Sequence, residues 1–244
     1  MVAKRELKFI KSLHLKKYRA RHGLFLAEGV KLVRELLESG WSARDIYGTE
    51  PLEGFGEMHL ISGPELKKVS TLVQPNKVLG VFRMPPVVPP VYAGWMLALD
   101  GVRDPGNLGT IIRLCDWFGI RELLCSPDVV DCYNPKVLAA TMGSIARVRV
   151  HYLPLEEALG QSPLPVFGAS MEGAPVHGCD LPAEGVLVMG SESHGVSAEI
   201  RGLLHGTLGI PGYGETGAES LNVAMASGIL LYEIRRQGRG PIQK

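Results

Sequence analysis

Several things are missing from this 244-residue sequence, and each absence closes off a class of protein. No stretch reaches the roughly 18 uninterrupted apolar residues of a membrane span. The opening Met-Val-Ala-Lys-Arg-Glu-Leu-Lys is basic but lacks the apolar centre of a secretory signal, and serine is nearly absent before Gly23, which weakens a transit peptide. Four cysteines, Cys115, Cys125, Cys132 and Cys179, form no C-x-x-C pair, so neither a zinc cage nor a disulfide framework is indicated. There is no Walker A sequence and no H-E-x-x-H, and the seven histidines are scattered. With 45% hydrophobic and 21% charged residues, the composition is that of a folded domain and not of a disordered chain. A soluble protein of a reducing, cytoplasmic compartment is expected, with no metal and no membrane association.

What is present is unevenly distributed. The net charge of +1 conceals 15 Lys and Arg against 9 Asp and Glu up to Gly94, then 11 against 16 from Trp95 onward. A basic part joined to an acidic part suggests that the basic one meets a polyanion. Between them, Met84-Pro85-Pro86-Val87-Val88-Pro89-Pro90 places four prolines in seven residues, which excludes helix and central strand and favours an extended spacer. The expected organisation is a first domain over 1–84, a proline-rich linker over 85–94 and a second domain over 95–244.

The first part alternates helical and strand signals. Leu7, Ile10 and Leu13 recur at helical spacing, as do Val30, Val33 and Leu37, while 24–27, 58–61 and 78–82 read as strands. Ser62-Gly63-Pro64-Glu65 has the form of a capping box before a third helix. The first 22 residues carry eight Lys and Arg with His14, Tyr18 and His22, and one acid, Glu6. Cations interleaved with rings suit phosphate contact and base stacking, so this small α/β or α+β module is expected to bind RNA.

The second part repeats strand, glycine-bearing loop, helix. Strands are expected at 95–99, 123–125, 148–152, 166–169, 186–189 and 207–210, with helices from the 101–109 loop to about Phe118, around 135–140, after Ser197 to about Leu204, and over 221–232. Such alternation argues for a parallel sheet with ligand loops at the strand C-termini. Gly212-Tyr213-Gly214-Glu215-Thr216-Gly217 matches G-x-G-x-x-G, yet only 27 residues follow it, too few for the βαβ unit of a dinucleotide site. A nucleophile elbow centred on Ser193 fails because Ser191 stands where glycine is needed. What survives is three loops, each adding polar residues to glycine: Asn107 and Arg113, then Glu192, then Ser220 and Asn222. Taken singly, Asn107 and Ser220 read as helix caps, Asn222 as a first-turn residue, Arg113 as a surface cation and Glu192 as a loop acid.

Taken together, the three loops resemble the signature motifs of the SpoU (TrmH-like) RNA 2′-O-ribose methyltransferases of the SPOUT class. Asp104-Pro105-Gly106-Asn107-Leu108-Gly109-Thr110-Ile111-Ile112-Arg113 resembles the first motif, Val188-Met189-Gly190-Ser191-Glu192-Ser193-His194-Gly195 the second, and Leu208-Gly209-Ile210-Pro211 through Ser220-Leu221-Asn222-Val223-Ala224 the third. The resemblance covers roughly 95–233. More weakly, Tyr18-Arg19, Phe25-Leu26-Ala27-Glu28-Gly29 and Lys31 resemble the family's L30e-like substrate-binding domain. Two departures stand out: the 214–219 insertion in motif three, and Ala139 where many relatives have arginine, which bears on substrate contacts.

The resemblance implies an α/β fold with a C-terminal trefoil-knotted parallel sheet and helices on both faces, a homodimer, S-adenosylmethionine as cofactor, and methyl transfer to a ribose 2′-hydroxyl of ribosomal or transfer RNA. Asn107, Arg113, Glu192, Ser220 and Asn222 would be catalytic; Met189, Gly190, Ile210, Pro211, Ser220 and Leu221 would hold the cofactor; Lys16, Lys17, Arg19, Arg21 and Lys31 would contact RNA. In-line displacement from a sulfonium needs no metal, only a held geometry and help in removing a proton from a weakly acidic alcohol. A guanidinium retains its proton, so Arg113 reads first as a phosphate clamp and stabiliser of alkoxide charge and second as a base. The competing readings are a non-catalytic RNA-binding protein on a SPOUT scaffold and a SPOUT base methyltransferase; the intact polar set favours ribose methylation.

Overall fold

A computed structural model of the chain describes residues 2–214 and 219–238. Before the proline segment run α1 (Lys4–Ser12), α2 (Lys16–His22), β1 (Leu24–Glu28), α3 (Val30–Glu38), β2 (Ala43–Gly48), β3 (His59–Leu60), α4 (Gly63–Val69) and β4 (Val78–Arg83). The Ser62/Glu65 capping box forms as its spacing predicts, each side chain reaching the other's backbone amide. Gly23 ends α2 in the left-handed region at φ 61°, where a side chain would be strained. The four strands lie in the order β1-β4-β2-β3; β4 runs antiparallel to β1 and β2, and β2 is parallel to β3. Strand β2 is absent from the sequence reading because Ala43-Arg44-Asp45 buries little, leaving Ile46 and Tyr47 to carry its apolar side. Ile10, Leu13, Leu26, Leu66, Val69 and Val81 form the core.

After β4 the prolines run without helix or strand to β5 (Trp95–Leu99). Then follow α5 (Pro105–Trp117), β6 (Glu122–Cys125), α6 (Pro135–Thr141), β7 (Arg149–Tyr152), α7 (Leu155–Gly160), β8 (Val166–Pro175), β9 (Gly185–Met189), α8 (Ala198–Arg201), β10 (Gly206–Gly209) and α9 (Val223–Gln237). The six strands form one parallel sheet in the order β10-β8-β9-β5-β6-β7. Strands β5 and β9 are buried along their whole length, hence their unbroken apolar runs. Strand β8 extends six residues past its expected end. It pairs with β10 around an irregularity, the partner of Thr207 being Gly168 and that of Leu208 being Ala174. At the start of β6, buried Glu122 accepts from Arg149 and pairs with His151 on β7, so a charge at that depth is balanced.

The chain divides into two compact units, Met1–Val87 with Asp131–Arg147, and Val88–Val130 with Val148–Lys244. This departs from the linear split at the prolines, because the expected 95–244 domain gives α6 and its flanks to the first unit. The causes are specific contacts. The Tyr133 ring lies 4.7 Å from Phe25 and 6.5 Å from Trp41, and Asp131 takes up the guanidinium of Arg19. Composition along the chain registers a linker but not a segment that packs on residues a hundred positions earlier.

Candidate active site

The motif loops leave the C-terminal ends of β5, β9 and β10 in the second unit. Asp104 caps α5, its Oδ1 accepting from the Asn107 amide at 2.8 Å; Asn107 is therefore not the cap expected from sequence but the third helical residue, with its carboxamide free to work elsewhere. On the last helix the assignment also changes. Asn222, not Ser220, is the N-cap of α9, its Oδ1 accepting from Ala224 N at 3.0 Å and Met225 N at 3.3 Å. Ser220 is exposed and outside the helix.

That cap sets the direction of a polar chain. Because Asn222 Oδ1 faces two N–H donors, its Nδ2 must point away. It donates to Asn107 Oδ1 at 2.9 Å and to Glu192 Oε1 at 3.4 Å. Asn107 Oδ1 thus accepts, so its Nδ2 is the donor to Glu192 Oε1 at 2.5 Å. Both amide orientations follow from the cap. Three of the five expected catalytic residues, one from each loop, are thereby bonded together. Glu192 Oε2 has no partner among the described residues and remains an acceptor.

Arg113 lies two turns into α5, exposed, with no hydrogen bond or ion pair among the described residues. A guanidinium so placed is free to take an anionic ligand. Ser220 makes no side-chain hydrogen bond among the described residues. Residues 215–218 of the motif-three insertion lie outside the described residues.

The second loop is closed by its own backbone: Ser191 and Gly195 exchange amide and carbonyl at 2.9 and 3.0 Å. A Cβ at Gly190 would sit 2.0 Å from the Gly195 carbonyl carbon, so only glycine allows this closure. Met189 is buried at the end of β9. The amides of Gly190, Ile210 and Leu221 have no backbone partner among the described residues. With apolar Ile210, Pro211 and Leu221 alongside, these loops suit a ligand held by main-chain donors and apolar walls, which is the chemistry an adenosyl group asks for. Among the described residues no group of three His, Cys, Asp or Glu is placed to hold a metal ion.

Two supporting arrangements were not anticipated. Asp100, the residue after β5, accepts from Ser197 N at 2.7 Å and ties the first motif loop to the start of α8. Ser126 Oγ accepts from Gly101 N and donates to Asp128, which also receives Arg103. The Ser126 hydroxyl and then the Arg103 guanidinium hold the Asp128 carboxyl below the usual carboxylate range. An acid directly after an apolar strand was the available signal for Asp100; nothing in sequence spacing links 101, 103, 126 and 128.

In the first unit, Lys16, Lys17 and Arg21 are exposed on α2, and Lys31 is exposed in the first turn of α3. Arg19 is not available to RNA. It is 2% exposed, with Nε and Nη2 on Asp131 and Nη1 on the carbonyls of Leu13 and His14.

Comparison with known proteins settles the lineage. Residues 94–232, more than half of the chain, match the model of the SpoU rRNA Methylase family, and residues 4–80 match an MRM3-like substrate binding domain. The chain belongs to the SpoU family. Among similar sequences, 23S rRNA (guanosine(2553)-2′-O)-methyltransferase RlmP of Bacillus subtilis is 32% identical over 235 residues, covering 92% of this chain and 94% of that one. A putative RNA methyltransferase of the TrmH family from Porphyromonas gingivalis superposes with TM-score 0.90 at 37% identity, covering 98% and 100% of the two chains. The SpoU methyltransferase AviRb from Streptomyces viridochromogenes, solved in complex with AdoMet, superposes with TM-score 0.84 at 26% identity over 97% and 100%. The parallel α/β sheet and the N-terminal substrate-binding domain expected from sequence are those of the SpoU family.

Proposed function

We propose that this SpoU-family chain is an S-adenosylmethionine-dependent RNA methyltransferase acting on a ribose 2′-hydroxyl, with ribosomal RNA as substrate. The observation that carries the reading is the bonded set Asn107–Glu192–Asn222, which draws one residue from each motif loop to a single point. Support comes from relatives named as rRNA 2′-O-methyltransferases and from the cofactor in the AviRb structure.

The cofactor would supply a sulfonium-bound methyl: the carbon–sulfur bond breaks to leave a thioether as the oxygen–carbon bond forms. The hydroxyl proton leaves by way of the Glu192 carboxylate to water. The chain's part is to hold the hydroxyl in line and manage its proton. Glu192 Oε2 accepts a ribose hydroxyl, with Oε1 fixed by two carboxamides so that the carboxylate cannot rotate away. Arg113 grips the neighbouring phosphate and stabilises charge growing on the 2′-oxygen. Ser220, beside Leu221 at the mouth of the third loop, contacts ribose or cofactor. Gly190, Ile210, Pro211 and Leu221 hold the adenosyl group against Met189, in a sheet knotted as the family's is.

Lys16, Lys17, Arg21 and Lys31 meet RNA phosphates. A second copy of the chain covers the apolar face where Met225, Ile229 and Tyr232 lie at helical spacing on α9 and Trp117, 80% exposed, ends α5. No helix among the described residues is long and apolar enough to cross a membrane; the compartment proposed for the enzyme is the cytoplasm.

The test is transfer of labelled methyl from S-adenosylmethionine to ribosomal RNA from a strain lacking the gene, followed by alkaline hydrolysis. Label in alkali-resistant dinucleotides is expected; label on a base, or cofactor binding without transfer, would favour the base-methylating or the non-catalytic alternative.

A further inference from the structure

The first unit contains a cavity that neither the motif chemistry nor the basic helices account for. It measures about 360 Å³ and lies between the β1–α3 junction, the chain after α4, and α6. Leu26, Leu32, Leu138 and Met142 form apolar walls. Four polar residues share the lining: Glu28, Lys31, Thr71 and Asn76. We propose that this cavity receives one unstacked nucleobase of the substrate RNA, a reading that rests on the RNA methyltransferase function proposed above and adds a recognition site to it.

The chemistry of the lining selects this occupant. The volume is at the small end of the roughly 300–1,000 Å³ range of ligand cavities. Apolar side chains in the lining suit a flat ring better than a hydrated sugar or phosphate. The Glu28 carboxylate, held by Ser70 Oγ, Thr71 N and Thr71 Oγ1, opposes an anion inside the cavity and favours amino or imino N–H donors. Asn76 has no hydrogen bond among the described residues, and a carboxamide both donates and accepts, as a base edge requires. Its amide lies close to Gly29, where a Cβ would be 3.1 Å from Asn76 Nδ2 and where φ is 103°, a backbone conformation that favours glycine.

Lys31 is likewise unpaired among the described residues and exposed, suited to the phosphate of the nucleotide whose base is inside. Ala139, exposed on α6, contributes only a methyl group to the lining and leaves the space open. Sequence-specific RNA recognition characteristically targets such splayed bases, and the unit already presents Lys16, Lys17 and Arg21 to a backbone.

The test uses the full chain with ¹³C-methyl methionine, Met142 being assigned with Met142→Leu. The four nucleoside 5′-monophosphates are titrated in turn, with ribose 5-phosphate as the baseless control. At least one nucleotide should shift the Met142 methyl by ring current, ribose 5-phosphate should not, and Ala139→Phe, which fills the space from an exposed position, should abolish the shift. With ribosomal RNA from the gene-lacking strain, Ala139→Phe and the milder Asn76→Ala should raise KM about tenfold and fivefold, with kcat within twofold and S-adenosylmethionine affinity unchanged. No shift with any nucleotide, or an equal shift with ribose 5-phosphate, overturns the proposal. Nucleotide binding with unchanged KM in both variants also overturns it, identifying a free-nucleotide site. Absence of RNA methylation by the unmodified chain defeats the functional reading instead, and leaves the nucleotide titration to be judged by itself.

Discussion

Asn107, Glu192 and Asn222 belong to three motifs separated by up to 115 positions and bond to one another, whereas Lys16, Lys17, Arg19 and Arg21 stand on one seven-residue helix and have divergent fates. In the first set a side chain's role is fixed by loops meeting at the ends of parallel strands, and glycine spacing in the sequence registers those loops. In the second set one helix carries its cations on different faces: Lys17 and Arg21, four residues apart, share one, and Arg19 lies on another. Arg19 is turned inward to Asp131 while its neighbours face water. Motif geometry therefore transmits function through sequence better than charge density does. Charge counts a residue once, whether it binds a ligand or its own fold.

The largest effect expected from this contrast is on Arg113. Because it is exposed and unpaired among the described residues, Arg113→Ala should leave the melting temperature and cofactor affinity nearly unchanged while kcat falls by about 10²–10³, the usual loss for a preorganised charge stabiliser. Single-turnover kinetics with calorimetry checks both halves. A melting temperature drop without a kcat loss would move Arg113 into the structural class.

The converse holds for Arg19. Arg19→Ala leaves Asp131 without its partner and should cost about 3–5 kcal/mol of stability, read by chemical denaturation. If the variant unfolds like the unmodified protein but binds RNA more weakly, the residue belongs with its exposed neighbours. Truncating the first 90 residues is a poorer test of the basic module, because it also strips Tyr133 of Phe25 and Trp41.

Asn222 sharpens the comparison because it does both jobs. Asn222→Asp keeps the acceptor that caps α9 but removes the donor to Asn107 and Glu192. Activity should fall about tenfold or more with the melting temperature held. Asn222→Ala should lose activity and a further ~1 kcal/mol of helix capping. Equal stability of the two variants would mean that the cap contributes nothing.

The smallest effect is expected at Lys17 and Arg21. Each alanine substitution should reduce the slope of log affinity on log salt by about 0.7 if single-stranded RNA is bound, with stability changed by less than about 0.5 kcal/mol. Titration at several salt concentrations measures it, and an unchanged slope would remove that residue from the RNA surface.

Much of the fold was legible because periodicity and punctuation agreed. The β5 and β9 runs and the Ser62/Glu65 box appear where local chemistry puts them, whereas α5 starts at an Asp104 cap, three residues before the Asn107 cap read from the sequence. The site was legible as a set of residues but not as a set of bonds. Ser220 and Asn222 are two residues apart, and which one caps α9 depends on where the third loop delivers the chain. The attachment of Asp131–Arg147 to the first unit was not legible at all. It rests on Arg19–Asp131 and Phe25–Tyr133, pairs more than a hundred positions apart; the sequence reading put Arg19 among the RNA contacts and Phe25 in a strand, and gave Asp131 and Tyr133 no role.

The central claim is that the three motif loops and Arg113 form a ribose-methylating centre. Mapping 2′-O-methyl groups across total RNA from cells with the gene, without it, and complemented with Arg113→Ala tests it most directly. The account predicts at least one ribosomal 2′-O-methyl position that is present with the gene, disappears without it and fails to return with Arg113→Ala. Identical maps from all three strains, or full restoration by Arg113→Ala, would contradict it.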